Sequence, residues 1–87
     1  MVGRLTNEVL GSLSALPSDE RATLVKTFRV WAANGGSIST AATVLFCHPN
    51  TVRHRLQRIE KRTGRSLSEP NELAELCLAF ANQWSDS

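Results

Sequence analysis

Eighty-seven residues, 41% apolar and 21% charged, suit one small globular domain and do not comfortably make two. No apolar run approaches the roughly 18 residues of a membrane span, and no signal core or cleavage pattern follows the early arginine, which points to the cytoplasm. The net charge of +2 hides an asymmetry: six positive side chains and one negative, Glu60, lie between Arg53 and Arg65, against four positive and seven negative elsewhere.

The apolar periodicity is helical throughout, and no alternating run rich in β-formers suggests a strand. Leu5, Val9, Leu13 and Leu16 predict a short lead helix over residues 1–17, weakened by Gly11 and ended by Pro17. Ser18 then reads as an N-cap, with Asp19 and Glu20 in the first turn. Leu24, Val25, Phe28, Trp31 and Ala32 form one buried stripe until Asn34-Gly35-Gly36 stops the helix. A two-turn helix follows a cap within Ser37-Ile38-Ser39-Thr40 and carries Ala41, Ala42 and Leu45. Phe46-Cys47-His48 connects it tightly to a helix that begins at Pro49, a comfortable first-turn residue, and ends at Gly64. After Ser68-Glu69-Pro70 a last helix places Leu73, Leu76, Cys77, Phe80 and Trp84 on one face, with Glu69, Glu72 and Glu75 near its start. The fold class is all-α, a small bundle of four or five helices.

Cys47 and Cys77, far apart and not in a CxxC pair, read as small buried hydrophobes rather than a disulfide. Cys47-His48 with His54 lacks a second ligand pair at structural-zinc spacing, so neither a metal nor any cofactor is expected.

The helix at 49–63 carries the functional signal. At about 100° per residue, Val52, Leu56, Ile59 and Thr63 fall in one narrow inward sector. Asn50, His54, Gln57 and Lys61 lie opposite; Thr51, Arg55, Arg58 and Arg62 form one flank, and Arg53 and Glu60 the other. Asn50, Arg53, His54 and Gln57 are the base-reading candidates, because Asn and Gln pair bidentately with adenine and Arg with guanine. His48, Thr51, Arg55, Arg58, Lys61 and Arg62 are the phosphate candidates. Exposed N–H groups at the helix start can take a further phosphate. A merely solvated basic face is the rival, but such faces are usually laced with acids, and here only Glu60 is available. The Ala41-Ala42 pair and the three- or four-residue turn also fit a helix-turn-helix.

Leu24, Phe28, Asn34-Gly35-Gly36-Ser37, Ala41-Ala42, Leu45-Phe46, His48, Asn50-Thr51-Val52-Arg53, Arg55-Leu56, Arg58-Ile59-Glu60, Thr63-Gly64 and Leu67 carry a resemblance to a known family. The span 24–79 resembles the C-terminal helix-turn-helix domain of the PucR/CdaR family of bacterial transcription regulators, and more distantly the Fis-type helix-turn-helix. Pro49 and His54 stand where that family commonly has arginine and tyrosine. Phe46, where many helix-turn-helix proteins have glycine, is expected to plug the core. The resemblance implies a domain over about 18–84, with its helix-turn-helix at about 38–63, its recognition helix at about 49–63 and a tail at 85–87. It implies double-stranded DNA as partner, a homo-oligomer in the full-length regulator, and a sensory region N-terminal to this domain, absent from the chain. Two other readings were weighed. One is a helical protein-interaction module whose basic helix docks on an acidic partner. The other, an enzyme, finds no nucleophile–base set, Walker or HExxH pattern. The last helix is expected to close the bundle; its apolar face, or the lead helix, could also serve dimerisation.

Overall fold

A computed structural model describes residue 11 and residues 13–82. Among these there are four helices and no strand, as the all-α reading requires: α1 (Ser18–Ala33), α2 (Ile38–Leu45), α3 (Pro49–Thr63) and α4 (Pro70–Asn82). Gly11, Leu13 and Ser14 also have helical backbone, and Leu13 and Leu16 are buried, while Leu5, Val9 and Trp84 lie outside the described residues.

The start of α1 differs from expectation. Ser18 is already helical, and Pro17 takes the cap position with no side-chain hydrogen bond. Proline's fixed φ suits the extended cap residue, and its carbonyl accepts the first bond from Arg21 N at 2.9 Å. Asp19 and Glu20 do sit in the first turn. The helix ends as predicted: Gly35 and Gly36 both have positive φ, and Gly36 N donates to Trp31 O at 2.9 Å. Gly36 also runs against the Trp31 indole, so a side chain there would meet both the ring and a disfavoured φ.

Leu24, Val25 and Phe28 are buried, but the expected stripe is shifted: Trp31 is half-buried and Ala32 exposed. Thr27, one position before Phe28, fills the place instead and is fully buried. Its hydroxyl donates to Thr23 O at 2.8 Å, which makes a polar side chain tolerable there.

Ser37 caps α2 by accepting from Thr40 N at 3.2 Å. Ala41 and Ala42 are buried, and α1, α2 and α3 pack on one another in pairs. Two alanines let the α2 backbone approach closely, and Val52, Leu56 and Ile59 of α3 fill the space in between. From α4, Leu76, Ala79 and Phe80 complete the core; the Phe80 ring meets Phe28 edge-on, centroids 4.9 Å apart. Arg29 of α1 also donates to Phe80 O at 2.6 Å. The cysteines depart from the sequence reading: Cys47 is half-buried against the core, and Cys77 is exposed, one step off the buried seam of α4.

Close packing of α2 makes a prediction. Ala41→Leu should cost about 1–3 kcal/mol in denaturant unfolding, because the added methylenes find no free volume. Ala33→Leu, at an exposed site, should stay within about 0.5 kcal/mol of wild type. Equal midpoints for the two variants would show that α2 is not closely seated.

Candidate nucleic-acid interface

Helix α3 is positioned from both ends. Pro49 occupies its first helical position, where a missing N–H costs nothing. His48 caps it, Nδ1 accepting from Asn50 N at 3.0 Å. At the other end Gly64, with φ 69°, provides the left-handed stop and donates to Glu60 O at 2.9 Å. Thr63 faces inward and bridges the exit, donating to Ile59 O at 2.8 Å and accepting from Arg65 N at 3.2 Å.

The cap corrects one expectation. The backbone N–H groups at the helix start are not open to a phosphate. Pro49 has none, Asn50 N is taken by the histidine ring, and Thr51 N donates to His48 O at 2.9 Å. Whatever this end of the helix binds, it binds with side chains.

Val52, Leu56, Ile59 and Thr63 are all buried, the inward sector that the helical spacing predicts. That seam fixes the rotation of the helix. Asn50, Arg53, His54 and Gln57, the base-reading candidates, are therefore exposed together. Arg53 Nη1 donates to Asn50 Oδ1 at 2.6 Å, so two of the four are already joined. Of the phosphate candidates, His48, Arg58, Lys61 and Arg62 are exposed, while Thr51 and Arg55 are half-buried.

The arginine flank has partners that spacing within α3 could not reveal. Arg58 Nη2 lies 2.5 Å from Glu20 Oε2 of α1, and Arg55 Nη1 donates to Thr27 Oγ1 at 3.3 Å. The sequence reading took Glu60 to be the one acid available to this helix. Instead Glu20 reaches it from a distant element, and Glu60 turns away to accept from Leu67 N at 2.8 Å. Lys61 and Arg62 have no partner among the described residues. His54, Arg55, Gln57, Arg58 and Lys61 line a shallow, open concavity on the helix surface. Arg65, counted with the basic run, belongs to the scaffold: Nε is 2.7 Å from Glu75 Oε1 of α4, and Nη1 donates to Thr63 O at 3.3 Å.

Phe46 is the largest departure from expectation. It does not plug the core; it is 95% exposed. It takes the left-handed C-cap of α2 with φ 56°, among the described residues the one non-glycine with positive φ. That conformation ends the helix and lets Cys47 N reach Ala42 O at 3.0 Å. It also sends the ring into solvent, and Cys47 is the residue of the turn that packs on the core.

No nucleophile–base arrangement accompanies these residues. Among the described residues no group of three His, Cys, Asp or Glu could hold a metal ion. Partial desolvation holds the Cys77 thiol above its ordinary pKa, which disfavours the nucleophilic thiolate. Among the same residues no helix is long and apolar enough to cross a membrane.

Comparison with known proteins bears on this geometry. The family model of the PucR C-terminal helix-turn-helix domain matches residues 24–81. The purine catabolism regulatory protein of Bacillus subtilis is 34% identical over 77 residues, which are 88% of this chain and 14% of that protein. An uncharacterized protein of Mycobacterium tuberculosis is 42% identical over 62 residues, 71% of this chain and 15% of the relative. An uncharacterized protein from the pkwA 5′ region of Thermomonospora curvata is 38% identical over 73 residues, 84% of this chain and 40% of the relative. The chain thus spans well under half the length of each of these three relatives. No solved structure matches it.

The turn geometry yields a test on stability alone. An exposed phenylalanine in the left-handed region gains little from burial and carries about 1 kcal/mol of conformational cost. Phe46→Gly should therefore raise unfolding stability by about 0.5–1 kcal/mol, glycine's greater unfolded-state freedom offsetting part of the relief. A lower denaturation midpoint would mean that the ring does contribute to packing.

Proposed function

We propose that this chain, which belongs to the PucR C-terminal helix-turn-helix family and is thereby a DNA-binding regulatory domain, seats α3 in the major groove of duplex DNA and reads sequence there. The observation that carries this reading is the division of α3. Four inward residues anchor it, and its opposite face has hydrogen-bonding and cationic side chains with no acid. A groove about 12 Å wide admits one such helix.

The residues then take these roles. Asn50 Oδ1 accepts from Arg53 and keeps its amide NH2 free for an adenine N7, while the remaining guanidinium donors of Arg53 can fork onto guanine O6 and N7. The pair enters the groove pre-oriented, so less side-chain freedom is lost on binding. His54 and Gln57 read the next turn of the same face. Lys61 and Arg62 meet phosphates, and Thr51, Arg55 and Arg58 extend that contact on the side facing α1. His48, its Nδ1 committed to the cap, has Nε2 left to donate to a phosphate oxygen. The family is not one of enzymes, and no catalytic role is assigned to any residue. One recognition helix contacts few base pairs, so the full-length regulator binds as a homo-oligomer, two copies on successive half-sites. It works in the bacterial cytoplasm, where the chromosome lies. It takes its signal from a region N-terminal to this domain.

Selection from a randomised duplex pool at moderate salt should return an enriched motif; an unenriched pool would end the claim of sequence specificity. Asn50→Ala and Arg53→Ala should flatten preference among selected sites. Arg62→Ala should weaken all sites alike and reduce the log–log salt slope by about 0.9.

A further inference from the structure

Glu20 occupies an unexpected place for a DNA-binding surface. It stands in the first turn of α1, thirty-eight positions before Arg58, yet the two side chains are in direct contact. Their side chains are 35% and 47% exposed respectively, so the pair is wet and its guanidinium remains accessible from solvent. Arg58 also borders the shallow concavity in which His54, Arg55, Gln57 and Lys61 offer further donors. Within that donor set the Glu20 carboxylate is the acceptor in contact with Arg58. A carboxylate and a phosphate present the same planar fork geometry to guanidinium. An exposed pair of this kind adds little to stability, so its effect lies elsewhere.

We propose that Glu20 is a built-in competitor for DNA phosphate at Arg58, so that binding exchanges one intramolecular ion pair for one phosphate contact. This inference rests on the reading of α3 as the DNA-contacting helix. In the free protein Glu20 neutralises Arg58 and holds it toward α1. On DNA the phosphate takes the guanidinium, and Glu20 is left as a negative charge beside the backbone. Both effects lower affinity by an amount that does not depend on base sequence. Glu20 thereby restrains non-specific attachment through the arginine flank while leaving Asn50, Arg53, His54 and Gln57 untouched.

The test uses the 87-residue chain, a short mixed-sequence duplex and a duplex recovered by selection, with binding measured across a salt series. Glu20→Gln keeps the side-chain size and removes the charge. It should tighten both duplexes by a similar factor, about three- to tenfold at low salt, and steepen the log–log salt slope by up to about 0.9. Arg58→Ala should weaken binding, and adding Glu20→Gln to it should give no further gain. Unchanged or weaker binding by Glu20→Gln, with thermal unfolding like wild type, overturns the competition and makes Glu20 at most an orienting partner. A gain that persists in the Arg58→Ala background overturns it too, because the effect would then be general charge. If the wild-type chain binds neither duplex, the DNA-binding reading itself fails and takes this inference with it; wild-type binding without a Glu20→Gln gain removes this inference alone.

Discussion

The seam Val52–Leu56–Ile59–Thr63 is the constraint on which the rest depends. A helix of fifteen residues with mean composition this polar has no reason to hold one rotation in water. Burial of those four side chains against α1 and α2 supplies it, and a rotation by one residue would drive Arg53 or Arg55 into the core. A charge buried without a partner costs several kcal/mol, so alternative rotations are strongly disfavoured. The direction in which Asn50, Arg53, His54 and Gln57 point is therefore decided on the opposite side of the helix from where they act.

Around that seam, α1 plays a double part. Leu24, Val25 and Phe28 present the apolar wall, while Glu20 and Thr27 reach past its edge to Arg58 and Arg55. The far end of α3 is held by carboxylates that act on backbone as much as on charge. Glu60 accepts from Leu67 N, Glu72 from Ser66 N, and Glu75 pairs with Arg65. Residues 64–69 thus link α3 to α4 by satisfied donors rather than by a loose loop, and Phe80 on Phe28 closes the circuit back to α1. Most acids in the described part of the chain fasten the domain together, which leaves the exposed face of α3 uncompensated.

Much of this was legible because helical spacing is a local rule. The all-α class, the stop at Asn34-Gly35-Gly36, the cap at Ser37, Pro49 at the head of α3 and its inward sector all follow from residues within a turn or two. What escaped the sequence depends on distance in the chain. Glu20 meets Arg58, and Thr27 meets Arg55, only because α1 folds across α3. Thr27 was missed because hydropathy counts a threonine as polar, whereas its hydroxyl is satisfied by the helix beneath it. Phe46 was misplaced for the converse reason: an aromatic side chain suggests burial, but a left-handed backbone decides where the side chain goes. Cys77 and Ala32 fell on stripe edges, where a rotation of a few tens of degrees separates buried from exposed.

The sealed start of α3 has a consequence for how such a domain diversifies. With Pro49 lacking an N–H and the next two amides committed to His48, the main chain contributes no fixed anchor at the tip of the helix. Recognition at that end is written wholly in interchangeable side chains, on a helix whose pose is set elsewhere. Substitutions at 50, 53, 54 and 57 can accordingly redirect the protein to a new operator while the fold and its docking frame are inherited unchanged. The tip of α3 is a replaceable reading head on a conserved mount.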